Sequence, residues 1–175
     1  YWDLSNLVDE SDPYNIKRVK VVDAGNSAGR IIFIDNQNYN NGIQLNQING
    51  PESDLPVTFI FSALKPVVLT GTITGNVRMF FAGDFQFGMG TETVAYNGLT
   101  MFMSNGDMKI CSSIWSYKNN PGGGFLSSDK DITIVESASF QGQIQCRGNF
   151  KTSGLIQFND SVLKAPGFTV PKGMK

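Results

Sequence analysis

Short runs of β-branched and aromatic residues, separated by glycine turns, constrain this chain more than any other feature of its sequence. Asn-Gly pairs occur at Asn41-Gly42, Asn49-Gly50, Asn97-Gly98 and Asn105-Gly106. Asn-Gly suits the tight turn between antiparallel strands, because both central residues of that turn need a positive φ. No segment carries apolar residues at the sustained 3.6-residue period of an amphipathic helix. The sequence therefore predicts an all-β protein.

The apolar runs predict individual strands at residues 16–22, 30–35, 57–63 and 67–74. The run Ile31 to Ile34 is apolar throughout, which indicates a strand buried on both faces. Between Val77 and Phe87 apolar residues share one parity, so we expect one strand with Gly83 at a bulge or bend. Phe80 breaks this alternation, and we expect it to face a neighbouring subunit.

A hairpin is predicted between Leu99 and Trp115, with Asn105-Gly106 as its two-residue loop. This register places four apolar side chains on one face: Met101, Met103, Met108 and Ile110. We expect that face to belong to the core. An exposed methionine stripe would instead be typical of an adaptable binding surface.

The sequence changes character after the loop Asn119 to Gly124, where we place a boundary between a first region, residues 1–120, and a second, residues 121–175. In the second region Gly142, Gly148 and Gly154 recur every six residues, with phenylalanine and isoleucine between them. Such spacing fits a β-solenoid or an interwound β-stem, and it equally fits ordinary strands with glycine turns.

Composition excludes several classes of function. Only 17% of residues are charged, the net charge is −1, and the basic residues are scattered, so nucleic-acid binding is not expected. No apolar run approaches the roughly 20 residues of a membrane span. Cys111 and Cys146 each lie in an alternating strand pattern, which favours buried free thiols over a disulfide.

The chain contains no histidine, which removes the commonest general base and the commonest metal ligand. Its two cysteines lack the close spacing of a structural zinc site. Two carboxylates alone can hydrolyse a glycosidic bond, but no acidic pair stands out. We therefore predict no enzyme activity and no catalytic, cofactor or metal residue, with a polysaccharide-degrading spike fragment as the alternative.

Aromatic side chains near turns are the remaining candidates for ligand contact. Trp115 and Tyr117 precede the glycine loop, and Tyr39 lies near another turn. We take these three as candidate ligand residues, because glycan sites commonly combine exposed aromatics with amide and carboxylate groups. The competing interpretation places Trp115 in the core.

The segment from Leu55 to Tyr117 resembles the small jelly-roll domains of tailed-phage fibres and appendages. The resemblance rests on Leu-Pro-Val-Thr-Phe-Ile-Phe, and on Met101-Phe102-Met103 and Met108-Lys109-Ile110 around Asn105-Gly106. The glycine-spaced tail is similar to the interwound β repeats of the same proteins. The resemblance implies a homotrimer, a location in the virion, and a role in host attachment or appendage assembly.

Together these inferences predict a jelly-roll-like antiparallel β-sandwich followed by a short glycine-spaced β tail, assembled as a homotrimer. The predicted function is that of a structural or receptor-binding module of a phage tail fibre, spike or appendage. Its predicted partners are a host cell-surface glycan or other virion proteins. The alternative is a bacterial surface adhesin or filament subunit with a β-sandwich fold.

Overall fold

Strands and turns make up every described part of the chain. The computed structural model describes residues 8–11, 17–34, 36–37, 41–89, 93–96, 99–116, 123–136 and 138–158. No helix occurs in these ranges. The all-β prediction is therefore confirmed for them.

Within the described ranges, eighteen strands form two nine-stranded sheets, here called sheet I and sheet II. Sheet I contains β1 (Val8–Ser11), β2 (Lys17–Asp23), β4 (Ile43–Asn49), β6 (Val67–Leu69), β7 (Ile73–Thr74), β9 (Phe85–Phe87), β12 (Met108–Ile110), β15 (Ile132–Ile134) and β17 (Phe150–Thr152). Sheet II contains β3 (Ile31–Ile34), β5 (Val57–Phe61), β8 (Val77–Phe81), β10 (Thr93–Tyr96), β11 (Leu99–Ser104), β13 (Ser113–Ser116), β14 (Gly123–Ser128), β16 (Ser139–Cys146) and β18 (Leu155–Phe158).

The chain coils between the two sheets, so that each described strand from β2 onward pairs in parallel with a strand of a neighbouring turn. In sheet I, Val67 pairs with Phe85, Phe85 with Met108, and Met108 with Ile132. Parallel neighbours need a crossover of a dozen or more residues, and here the strand of the opposite sheet lies within that crossover. The result is a two-sheet parallel β-solenoid, in which each turn of the coil forms one rung.

Alternation of side chains builds the core as stacked columns between the sheets. The inward residues of sheet I are 1% exposed or less, and they are Ile43, Val67, Phe85, Met108 and Ile132 in one column and Leu45, Leu69, Phe87, Ile110 and Ile134 in the next. Sheet II contributes Phe59, Met79, Phe102 and Leu126, equally buried. Because successive strand residues face opposite sides, the residues between these columns form the outer faces of the solenoid.

The predicted antiparallel jelly-roll sandwich is wrong. Among the described residues, only β1 and β2 pair in the antiparallel sense, and every other strand pair is parallel. Alternating apolar residues bounded by turns occur in both architectures, because each strand buries one face in either case. The single chain also gives no support to the trimeric part of that prediction.

The predicted hairpin at Asn105-Gly106 is wrong for the same reason. β11 and β12 belong to different sheets, so this turn is a corner of the coil rather than a hairpin loop. Met103 and Met108 consequently do not share a face: Met108 is in the core, whereas Met103 is half-buried on the outer face of sheet II.

Two other strand predictions also change. The run Ile31 to Ile34 is not buried on both faces, because Ile31 and Phe33 are 61% and 48% exposed while Ile32 and Ile34 are buried. The predicted strand from Val77 to Phe87 is two strands, β8 and β9, with the corner at Gly83 sending them into different sheets. Its inward parity was predicted correctly.

In the second predicted region, the glycine-spaced segment forms part of the same coil. β16 pairs with β14, β17 with β15, and β18 with β16, all in parallel. Of the two interpretations of this spacing, the solenoid is therefore the one observed. Of the predicted boundary loop, residues 119–122 lie outside the described residues, and Gly123 and Gly124 belong to β14.

Candidate binding surfaces

One corner of the coil is built from an aspartate ladder. Asp84 Oδ1 accepts the backbone N–H of Asp107 at 2.9 Å, and Asp107 Oδ1 accepts the N–H of Asp131 at 3.2 Å. Asp131 Oδ1 then accepts the N–H of Asn149 at 2.7 Å. Each carboxylate thus holds the turn of the following rung, so these acids are structural as well as exposed.

Two serine hydroxyls complete the same corner. Ser104 Oγ donates to the Gly83 carbonyl at 2.7 Å and accepts the Gly106 N–H at 3.0 Å. Ser128 repeats this arrangement one rung later, donating to the Gly106 carbonyl at 2.7 Å. Both serines are buried, and these bonds satisfy hydroxyls whose burial would otherwise be costly.

A groove of about 400 Å³, here called the polar groove after the polar side chains that line it among apolar ones, lies beside the ladder on the outer face of sheet I. Its floor is formed by the outward residues Val68, Gln86, Lys109 and Thr133, and its wall by the ladder aspartates. This groove presents amide, ammonium, hydroxyl and carboxylate groups, which are the groups that hydrogen bond to sugar hydroxyls.

Hydrogen bonds from a neighbouring residue stabilise the charged form of one groove acid, Asp131. The backbone and side-chain N–H groups of Asn149 lower the pKa of Asp131, with a smaller contribution from Lys151. Asp131 is therefore ionised at neutral pH. The groove combines its aspartates with the exposed ammonium group of Lys109.

A second groove, of about 310 Å³, lies on the outer face of sheet II. The apolar part of this groove belongs to a row of outward residues that are register partners on neighbouring strands. The row, here called the outer apolar column, consists of Phe33, Ile60, Phe80 and Met103. Ser127 continues the line, and Asn105 and Asp129 form the polar side of the groove. Phe33 is 48% exposed, and the other three are half-buried.

The neighbouring outward column on sheet II begins at Ile31, which is 61% exposed, and is covered only further along, at Met101 and Phe125. Met101 and Phe125 lie outside the core cluster and are nevertheless only 1% and 6% exposed. Arg78 pairs with Met101 in this column, and burial lowers the pKa of its guanidinium group. Thr58 and Arg78 interrupt that column, whereas the outer apolar column is apolar over four consecutive rungs.

The predicted ligand residues are not brought together in the described structure. Trp115 lies in β13, where its backbone pairs with Ala95. Its side chain, together with Tyr117 and Tyr39, lies outside what the structure describes. The three remain predictions.

Sequence inspection missed the corner residues, although a repeat marks them. The segments are Phe-Ala-Gly-Asp-Phe-Gln-Phe at 81–87, Ser-Asn-Gly-Asp-Met-Lys-Ile at 104–110, Ser-Asp-Lys-Asp-Ile-Thr-Ile at 128–134 and Cys-Arg-Gly-Asn-Phe-Lys-Thr at 146–152. Aligning the acid or amide at the fourth position would have revealed the rungs, because repeated supersecondary units give this kind of signature.

Both cysteines are free; Cys111 is buried as predicted, whereas Cys146, also predicted to be buried, is partly exposed. No group of three or more histidine, cysteine or acidic residues within the described ranges is placed to hold a metal ion. None of the described residues forms a helix long and apolar enough to cross a bilayer.

No protein-family model, curated protein or solved structure matches this chain. The assignment of function therefore rests on the chemistry of its two outer faces.

Proposed function

We propose that this chain is a rigid structural and receptor-binding module of a phage tail fibre, spike or appendage. In this role it self-associates through the outer apolar column of sheet II and mediates host attachment or virion assembly. The single observation that carries the proposal is that column, in which Phe33, Ile60, Phe80 and Met103 face outward on four consecutive rungs.

The chemistry of the column favours contact with identical copies. When copies pack around a symmetry axis parallel to the axis of the coil, the outer apolar column of one copy contacts the same column of another copy, with equivalent rungs side by side. The outer apolar column carries no charge, so such a contact brings no like charges together. The ladder of Asp84, Asp107 and Asp131 on the other face would oppose acid to acid, which is destabilising.

Part of the support from the resemblance is lost. The hairpin at Asn105-Gly106 that suggested a jelly roll is a corner of a solenoid. The proposal is now supported by the parallel coil of the glycine-spaced segment, by the outer apolar column, and by the polar groove. That groove is the proposed contact for a host-surface glycan.

The first experiment is the mass in solution, measured by light scattering behind a sizing column, with and without detergent. We expect an oligomer of the wild-type chain, with three copies as the predicted number. The double variant Phe33→Ser/Phe80→Ser should lower the mass towards that of one chain. Val68→Ser removes an outward apolar side chain from sheet I and should leave the mass unchanged. A monomeric wild-type chain would overturn self-association.

Glycan binding needs a separate test, because it does not depend on the oligomer. The wild-type chain and Lys109→Gln should be compared on an array of bacterial surface polysaccharides. We expect binding that the substitution weakens, since Lys109 lies in the floor of the polar groove. Absence of binding to every polysaccharide would leave assembly, rather than attachment, as the proposed role.

A bacterial surface adhesin or filament subunit is the second candidate. One observation favours it: Leu155 and Phe158, on the last described strand, are 63% and 67% exposed, and exposed apolar side chains that lie together mark sites of protein–protein contact. Growth of filaments from purified protein, observed by electron microscopy, would support this candidate over a closed oligomer.

A further inference from the structure

Two rows of outward side chains border the polar groove and follow the axis of the coil. In the row that forms its floor, strand register joins Val68 to Gln86, Gln86 to Lys109, and Lys109 to Thr133. Lys151 continues this row on the next rung. The residues that line the groove come from four successive strands of sheet I, namely β6, β9, β12 and β15. The groove therefore runs along the coil across four rungs.

The rungs give both rows a fixed spacing. Neighbouring strands lie about 4.8 Å apart, so equivalent side chains on successive rungs repeat at that interval. The second row, the aspartate ladder, follows the same interval, because each acid accepts the backbone N–H of the next rung. In an extended chain of equatorially linked pyranoses, each sugar advances by nearly the same distance. Such a chain, laid along the axis of the coil, would present one sugar to each rung.

The groove carries charges of both signs, and these select the charge of its ligand. Asp84, Asp107 and Asp131 lie along one wall, and the exposed ammonium group of Lys109 lies in the floor. An anionic chain would place its acidic groups beside the ladder, and a cationic chain would place its amino groups beside Lys109 and Lys151. Like charges in contact oppose binding. A neutral chain avoids both contacts, and its hydroxyl groups can donate to the carboxylates and accept from the ammonium group.

Several acceptor groups of the groove are already held in place. The carboxylates of Asp84 and Asp107 each accept a backbone N–H through Oδ1, at 2.9 Å and 3.2 Å. A carboxylate has roughly four acceptor positions, so each keeps capacity for a sugar hydroxyl. Gln86 Nε2 donates to the Gly88 carbonyl at 2.8 Å, so its amide is fixed and its Oε1 atom serves as an acceptor. Groups that are fixed before binding lose less freedom when a ligand binds.

We propose that the polar groove binds a neutral, linear polysaccharide that lies parallel to the axis of the coil, with one sugar on each rung. This inference rests on the glycan contact proposed above, and it adds the charge of the glycan, its direction and its length in the site. Because four rungs line the groove, four consecutive sugars should fill it.

The probes are equatorially linked oligomers of four sugars, two to six units long: glucose and N-acetylglucosamine, which are neutral, glucosamine, which is cationic, and glucuronate, which is anionic. Calorimetric titration is done at mildly acidic pH, where glucosamine is charged and the aspartates remain ionised. We expect at least one neutral series to bind. Its affinity should rise at least about tenfold from two to four units and change less than about twofold from four to six. The charged tetramers should bind at least about fivefold more weakly.

Substitutions on two rungs test the direction of the chain. Gln86→Leu in β9 and Thr133→Val in β15 lie two rungs apart, and each should weaken binding of the neutral tetramer by about three- to tenfold. Thr58→Val makes the same change as Thr133→Val at an outward position of sheet II, and it should alter binding less than about twofold. All three residues lie on outer faces, so the variants should fold.

Three results would overturn the proposal: neither neutral series binds, a charged tetramer binds more tightly than the neutral ones, or affinity does not depend on length. Weakening by only one of Gln86→Leu and Thr133→Val would overturn the axial direction, because a chain lying across the strands contacts one rung. Binding on the polysaccharide array without binding of the neutral oligomers would overturn this inference alone. Absence of binding on the array would overturn the glycan contact as well.

Discussion

Replacing Phe102 with alanine should destabilise the protein more than replacing any outward phenylalanine. The Phe102 ring is fully buried, with its centroid 4.7 Å from that of Phe85 and 5.4 Å from that of Phe87. It bridges the two sheets, because Phe102 lies in β11 of sheet II and both partners lie in β9 of sheet I. A cavity at this position would therefore weaken the contact between the sheets.

The expected loss in the free energy of unfolding is about 3–5 kcal/mol, the usual range for Phe→Ala in a core. With a urea dependence of about 2 kcal/mol per M, the midpoint should fall by about 1.5–2.5 M. Phe33→Ala is the control, because this side chain is 48% exposed within one chain; both variants are compared at a protein concentration at which they are monomeric, so that self-association does not contribute. Phe33→Ala should lower the free energy of unfolding by about 1 kcal/mol or less, since full burial of such a side chain contributes about 1.5–3 kcal/mol.

Equilibrium urea unfolding, followed by far-ultraviolet circular dichroism, measures both variants under the same conditions. Equal losses for Phe102→Ala and Phe33→Ala would refute the assignment of inward and outward faces. A loss below about 1 kcal/mol for Phe102→Ala would refute the tightly packed contact between the sheets.

Three further predictions concern the corners and the thiols. Gly106→Ala should lower the free energy of unfolding by about 1–3 kcal/mol, because the added Cβ would lie 2.7 Å from the Asp84 backbone nitrogen. Gly25→Ala is the control and should change the free energy of unfolding little, because its added Cβ would make only an ordinary contact at 3.6 Å. The pKa of Asp131 lies below its ordinary value of 3.8, so the ionised carboxylate stabilises the fold at neutral pH. That stabilisation should disappear as the pH falls through the lowered pKa. Asp131→Asn should therefore flatten the dependence of the unfolding free energy on pH between about pH 5 and 2. Burial raises the pKa of the Cys111 thiol, so a thiol reagent should modify Cys146 first and Cys111 only on unfolding, as peptide mass mapping can show.

The sequence predicts strands well where one parity is apolar. Val77, Met79 and Phe81 were assigned to the core, and all three are buried. An apolar residue at every second position shows which side chains share a face of a strand, and this pattern occurs in any sheet whose outer face meets solvent. It contains no information on whether the neighbouring strand is parallel or antiparallel, which is why the predicted sandwich was wrong.

The corners could not be recognised from local turn preferences alone. Asn-Gly favours a hairpin turn, but the backbone at Gly106 is held as a corner by other contacts. The Ser104 hydroxyl accepts the Gly106 N–H, and Asp84 packs against the glycine. Asp84 is 22 positions from Gly106 in the sequence, and the Ser104 hydroxyl also donates to the Gly83 carbonyl, 21 positions away. Only a comparison of the repeated corners with one another would have predicted them.

The outer surfaces were the least predictable part. Phe80 was expected to face a neighbouring subunit, and it does lie outward, but contact with another chain stays a prediction. Outward apolar residues are common on soluble proteins. The column that Phe80 forms with Ile60 and Met103 becomes visible only once the strand register is known.

Disulfide trapping tests the parallel coil, on which both proposals depend, most directly. Lys109 and Thr133 are register partners in β12 and β15, and adjacent strands lie about 4.8 Å apart, within the Cα range of a disulfide. In an antiparallel hairpin, Met103 and Met108 would instead be opposite each other. Both native cysteines are first replaced by alanine, so that only the introduced pair can form a bond.

Under mild oxidation we expect Lys109→Cys/Thr133→Cys to form an intramolecular disulfide in the folded protein, detected by mass mapping without reduction. Met103→Cys/Met108→Cys should remain reduced. Efficient bonding of the second pair, with none in the first, would contradict the solenoid and restore the hairpin.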